Sequence, residues 1–169
     1  MANFLEDNED LKFYIEKYID WEPLVRLVEY DFKMNDGFEN NGEALEFYRD
    51  VLGMVGELVG NEIAPRAQAI EKNPVKMVDG EIVSSPEFDA IFDQLKEVGL
   101  HGLCLPRELG GMNAPLLVYM LTGEMFARAD VSVMTHHSFH GGMALAMLLF
   151  SVMEGSTEID LDSMTMKTT

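Results

Sequence analysis

Residues 98–132 constrain the fold more than any other part of the chain: a helix ends, the backbone hooks back, and a largely apolar helix begins. Gly99 and Gly102 supply conformations that other residues adopt only at a cost, and Pro106 fixes φ and removes a donor, so the incoming helix stops here. Leu100, Leu103 and Leu105 make the hook apolar, and Gly110 and Gly111 turn the chain again. Asn113 stands ahead of Ala114 and Pro115 as an N-cap, which predicts a helix starting near Ala114. From 116 to 127 only Thr122, Gly123 and Glu124 interrupt apolar residues, so this helix is expected to be buried on most sides. A buried Glu124 needs a partner, and Arg128 lies one turn later in the favoured acid-before-base order.

The flanking segments read as further helices. Asp7 or Asn8 can cap a first short helix with Leu11, Tyr14, Ile15, Tyr18 and Ile19 at helical spacing. Asp20 can cap a second, with Trp21 at the joint, Pro23 in the first turn and Leu24, Leu27, Val28 and Tyr30 following. MNDGFENNG, residues 34–42, is a linker by composition. A long helix over 43–71 carries Leu45, Tyr48, Leu52, Val55, Val59 and Ile63 on one stripe, and Pro65 predicts a kink or fresh start near Asn61. Gly53, Gly56 and Gly60 predict close approach of another helix, since a phosphate cradle needs a preceding strand and a different spacing. Asp79-Gly80 marks a small hairpin or ordered loop near 76–84. Ser84 or Ser85 then caps a helix with Pro86 at its start, Ser84 and Glu87 having capping-box spacing, and Phe88, Ile91, Phe92, Leu95 and Val98 form its apolar face. Asp130 caps the last helix, 131–153. The expected fold is all-α, a helical bundle with at most one short hairpin. The expected division is a helical extension and linker over 1–42, a helical domain over 43–155, and an atypical, disordered tail over 156–169.

The length of 169 residues suits a single sizeable core, and the hydrophobic fraction of 47% suits a globular chain. Twelve Lys and Arg face 30 Asp and Glu, a net charge of -18, which argues against nucleic acid and anionic membranes as partners. The single cysteine, Cys104, cannot form an internal disulfide, and no basic segment leads into an apolar core at the N-terminus, so the expected location is cytoplasmic. Flanked by Leu103 and Leu105 with no base nearby in sequence, Cys104 reads as a packed thiol. The stretch 131–153 lacks Asp, Glu, Lys and Arg, but His136, His137 and His140 leave an apolar run shorter than the ~20 residues a membrane span needs.

Three blocks carry a family resemblance. Gly99-Leu100-x-Gly102-Leu103-x-x-Pro106-x-Glu108-x-Gly110-Gly111, then Glu124-x-x-x-Arg128-Ala129-Asp130-x-Ser132, and earlier Ile63-Ala64-Pro65-Arg66-Ala67 with Ile70-Glu71 closely resemble the N-terminal helical domain of the flavin-dependent acyl-CoA dehydrogenases. The leading helices over 8–33 resemble an extension found in a subset of bacterial members. The resemblance implies FAD as cofactor, an acyl-CoA thioester as substrate, electron-transfer flavoprotein as electron acceptor and a homo-oligomer when complete. It implies removal of an α-proton by a glutamate while a β-hydride passes to the flavin. That glutamate and most flavin contacts lie in later domains of the family. No catalytic and no cofactor-binding residue is therefore assigned, and FAD is not expected on this chain alone.

His136 and His140 are one helical turn apart, which invites a metal reading. His137 stands where a zinc-protease helix requires glutamate, and a third ligand is missing, so no metal site is assigned. The resemblance instead implies that the last helix lines the inner end of the acyl-chain cavity, at Val133, Met134, His137 and Gly141. Gly155-Ser156-Thr157-Glu158 resembles the family's turn after this helix, and IDLDSMTMKTT then departs from the usual continuation, as a shifted frame or gene fragment would. Two functions follow as expectations: the N-terminal portion of an acyl-CoA dehydrogenase, inactive alone, or a non-catalytic helical module that docks on a partner or holds an acyl group. The apolar residues Met143, Leu145, Met147, Leu148, Leu149 and Phe150 are expected to lack cover and to drive self-association.

Overall fold

Helix α3 (Asn41–Leu58) packs on α6 (Leu116–Ala129), and α6 packs on α7 (Val131–Glu154). The computed structural model describes residues 2–34, 36–160, 162–163 and 165–168. Around this stack lie α1 (Glu9–Phe13), continued by a π turn over Tyr14–Tyr18, then α2 (Trp21–Val28), α4 (Ala67–Lys72) and α5 (Pro86–Glu97). Strands β1 (Lys76–Val78) and β2 (Glu81–Val83) form the expected hairpin, with Asp79 and Gly80 both at positive φ. Among the described residues no helix is long and apolar enough to cross a membrane.

The helix starts follow their caps. Asn8 accepts from the Leu11 amide, Asn40 from Glu43, Ser85 from Phe88, and Asp130 from both Ser132 and Val133. Asp20 sits at the start of α2 without a side-chain bond, and Ser84 bonds Asp89 rather than making a capping box. The long helix departs from α geometry where Pro65 requires it: a π turn over Val59–Ile63 is followed by a 3₁₀ turn over Ala64–Arg66. Helix α5 buries Phe88, Ile91 and Leu95, as its spacing predicts.

Gly56 and Gly60 admit the N-terminal residues 2–5 where another helix was expected. Phe4 donates its amide to the Gly56 carbonyl at 3.0 Å, Asn3 reaches the Gly53 carbonyl at 3.2 Å, and a Cβ on Gly60 would meet the Ala2 carbonyl. The same segment explains why the Glu124–Arg128 pair does not form. Helix α6 keeps one exposed stripe, Leu116, Met120, Glu124, Ala127 and Arg128, and the last turns of that stripe face the N-terminus. Glu124 accepts from Asn8, while Arg128 donates to the Phe4 carbonyl and lies over the Phe4 ring.

Helix α2 turns a different face inward from the one its leucines suggest. Trp21, Val25 and Glu29 are buried at i, i+4 and i+8, while Leu27 is 74% exposed. Glu29 is held by both guanidinium nitrogens of Arg107 at 2.7 and 3.0 Å, by the Asn113 side chain at 3.3 Å and by the Phe38 amide at 3.3 Å. Asn113 is therefore not a helix cap: it adopts φ 53°, its side-chain amide donates to the Val28 carbonyl, and α6 begins only at Leu116. The hook closes on itself through amides of Met112, Asn113 and Ala114 bonded to carbonyls of Gly102, Leu105 and Leu103. A Cβ on Gly111 would run into the Leu105 backbone.

In the tail, for which the sequence predicts disorder, β3 (Thr157–Asp160) pairs antiparallel with β4 (Thr165–Thr168). Its turn is fixed by the Asp160 carboxylate, which accepts from the amides of Asp162 and Ser163, and Thr157 is anchored to Ser151 by a 2.9 Å hydroxyl bond. Residues 161, 164 and 169 lie outside the described residues.

Only Val133, His137 and Gly141 of the 24 residues of α7 are fully buried. Met143, Met147, Leu149 and Phe150 are exposed, together with Phe139 and Met153, while Leu145 and Leu148 are half-buried. Screening that shortens charge repulsion to about 10 Å at 0.1 M salt should therefore promote association through this face. Sedimentation across a salt series should show growing association in the parent chain and little in Phe150→Lys. Replacing Arg107 by Met leaves the Glu29 carboxylate buried without its charge partner, and urea unfolding should register a loss of about 3–5 kcal/mol. Replacing both residues by Met should recover much of that loss.

Candidate functional site

The hook, α6 and α7 leave between them a cavity of about 190 Å³. The hook contributes His101, Cys104 and Leu105, α6 contributes Leu116, Tyr119 and Met120, and α7 contributes Ser138, Gly141, Gly142 and Leu145. Carbon and sulfur dominate these walls, so an alkyl chain is the chemistry they match. A larger open groove lies between α4, the start of α5 and the α6–α7 joint. Both helix N-termini there are already filled by Ser85 and Asp130.

Gly141, at the cavity wall, permits Tyr119 to close on α7. The Tyr119 hydroxyl donates to the His137 carbonyl at 2.7 Å, and a Cβ on Gly141 would collide with that phenol. Gly142, the next residue, has open space where a Cβ would stand. Burial pushes the Tyr119 phenol up to about 12, and burial pushes the Cys104 thiol up to about 11. Both are protonated wall groups at neutral pH. Cys104 is thus a packed thiol, as its leucine neighbours predict.

Val133, Met134, His137 and Gly141 share the inward side of α7 but occupy different surroundings. Val133 and His137 have no exposure and are packed into the chain's own core, Met134 is half-buried, and Gly141 stands at the cavity wall. His137 lies between the rings of Phe126 at 4.8 Å and Tyr119 at 5.0 Å. Burial lowers its pKa to about 4, with His101 and His140 adding in the same direction. His136 is exposed, its Nδ1 3.1 Å from the Ser132 carbonyl. Among the described residues no group of three or more His, Cys, Asp or Glu is placed to hold a metal ion.

Sequence reasoning did not single out His101, Tyr119 or Ser138 for this site. The one local signal is that His101 lies between two hook glycines. The two adjacent glycines offer a direct check of the packing. Gly141→Ala should destabilise by about 1–3 kcal/mol through overpacking against Tyr119. Gly142→Ala should instead stabilise α7 by about 0.5–1 kcal/mol, the usual gain of removing a helical glycine. Paired chemical denaturation curves would read both signs.

The family model described as acyl-CoA dehydrogenase, N-terminal domain, matches residues 46–155. The 3-methylmercaptopropionyl-CoA dehydrogenase of Ruegeria pomeroyi is 26% identical over 124 residues, which are 73% of this chain and 19% of that protein. The chain thus spans about a fifth of the length of that curated relative. With the matched region running from within α3 to the end of α7, and so containing the hook, the cavity and all four histidines, the chain belongs to the acyl-CoA dehydrogenase family through that family's N-terminal domain.

Proposed function

We propose that this chain is the N-terminal portion of an FAD-dependent acyl-CoA dehydrogenase and contributes part of the pocket for the acyl chain. The observation that carries this reading is the apolar cavity at the α6–α7 contact, within the matched region. Gly141 stands at its wall, and Val133, Met134 and His137 set the position of the α7 backbone that bears it. A short acyl tail fits this volume better than a long one, and the relative named for a 3-methylmercaptopropionyl thioester points the same way.

The described residues do not fit the flavin. The cavity walls carry no Lys or Arg to face its diphosphate. The reaction's base, the flavin contacts and the docking of electron-transfer flavoprotein are accordingly assigned to further parts of a longer, homo-oligomeric enzyme, and no chemical step is placed on this chain. Its own contribution is to enclose the alkyl tail and keep water from it.

The exposed apolar face of α7 supports a second reading, a non-catalytic helical module that docks on a partner. A defined stoichiometric complex in native purification would favour that module. Flavin-domain sequence following codon 158 in any frame of the coding DNA would favour the dehydrogenase portion. The pocket itself is tested with hexanoate as the probe and an apolar dye as competitor. Hexanoate should displace the dye from the parent chain, and Gly142→Val, which fills the open space at that position, should weaken it about tenfold, the equivalent of 1.4 kcal/mol of lost contact. Equal displacement from both proteins would remove the cavity from the proposal.

A further inference from the structure

All four histidines of the chain converge on one place. His101 comes from the hook, and His136, His137 and His140 come from α7. The His101 ring lies 4.8 Å from His140 and 6.0 Å from His137, centroid to centroid. Phe92 of α5 touches three of them, at 5.4 Å from His140, 6.0 Å from His136 and 6.1 Å from His101, and Phe88 lies 4.9 Å from His136. Phe126 and Tyr119 close the far side against His137.

His101, His137 and His140 are not the hydrogen-bonded kind of imidazole that cores ordinarily tolerate. Both ring nitrogens of His137, Nε2 of His101 and Nδ1 of His140 are buried without a hydrogen-bond partner within the chain. A neutral imidazole survives there at modest cost, whereas an imidazolium would be a buried cation with nothing to bond. The charges that act on His101 and His137 add to that cost, and the neutral groups beside them do not offset it. From α5 comes Lys96, already positive and acting on His101. From α6 comes Tyr119, whose hydroxyl is spent on the His137 carbonyl and whose phenol stays neutral. From the hook comes Cys104, also neutral, and from α7 come the other histidines. No carboxylate is among the charges that act on His101 or His137.

We propose that His101, His137 and His140 form an acid-sensitive latch that seats α7 on the hook and α5 while the rings are neutral, and releases it when His101 and His137 take up protons. The position of the cluster gives it this leverage. His137 is the middle one of the three fully buried residues of α7, and the helix beyond them is half-exposed along its length. The released element also carries Ser138 and Gly141, and the hook carries His101, so opening the latch opens the cavity. This inference does not depend on what the cavity holds.

The sign of the pH dependence follows from the direction of the shifts. His101 and His137 bind protons less readily in the fold than in the unfolded chain, so the open state gains protons first. Protection of α7 is therefore complete at neutral pH. It is lost as pH falls below the ordinary histidine value of about 6.5 towards the folded value of about 4 for His137. Each proton taken up on opening makes the opening equilibrium about tenfold more favourable per pH unit in that window.

Hydrogen exchange on the 169-residue chain from pH 7.5 to 4.5, corrected for intrinsic rates and paired with imidazole C–H NMR, tests the latch. The expected result is an α7 that opens progressively below pH 6.5 while α3 stays protected, in step with delayed titration of His137. His137→Phe keeps a ring and removes the proton site, so α7 should remain protected at pH 5. His136→Gln, at the exposed position, should leave the profile unchanged. Should His137→Phe fail to fold, His101→Phe and the parent titration decide the matter. Loss of α3 and α7 together, or α7 protection independent of pH, would overturn the proposal.

Discussion

A carboxylate sealed from water organises the N-terminal half of this molecule. A carboxylate buried there needs a cationic, hydrogen-bonding partner, and the chain brings Arg107 and Asn113 from the hook and the Phe38 amide from the segment after α2. Satisfying one side chain therefore fixes α2, the segment after it and the hook relative to one another. Arg107 also lies over the Phe38 ring, which packs on Phe47 and Tyr48 of α3, so the same clamp reaches the central stack. Such an ion pair contributes geometry more than net stability. Its desolvation nearly offsets its attraction, while the requirement that both partners be present leaves few other ways for these segments to meet.

Much of the helical scaffold was legible because it is written in local rules. The α5 stripe, the Ser85 and Asp130 caps, the Asp79-Gly80 turn and the break ahead of Pro65 all depend on residues within a turn or two of one another. What escaped depends on contacts between distant segments. Glu29 looks like any surface acid on a helix until Arg107 is placed 78 positions away in sequence. Asn113 has the right spacing for a cap, yet the carbonyl of Val28 claims its side chain and the backbone turns left-handed to let it. The Glu124–Arg128 spacing was equally sound, but both side chains found the N-terminal segment first. At the site, the inward face of α7 was placed by resemblance. The convergence of His101 on that face required the hook to be folded.

The contact between α6 and α7 shows how little separates a core from a cavity. At Gly141 the phenol of Tyr119 comes so close that no side chain fits, while one residue further a Cβ would stand free. The hydroxyl bond from Tyr119 to the His137 carbonyl holds the helices at that spacing. The result is a small space with a close-packed wall on one side and a helix held by few buried residues on the other.

The irregular stretch in the long helix has a consequence for register. A π turn over Val59–Ile63 is wider than an α turn and the 3₁₀ turn over Ala64–Arg66 is tighter, so the two errors of winding oppose each other. Ile63 and Ile70 consequently face the same core from either side of the break. A helix built this way can absorb the insertion of a residue within one turn, without rotating everything downstream. A residue added or removed at this point would leave the register of the contacts that follow in place.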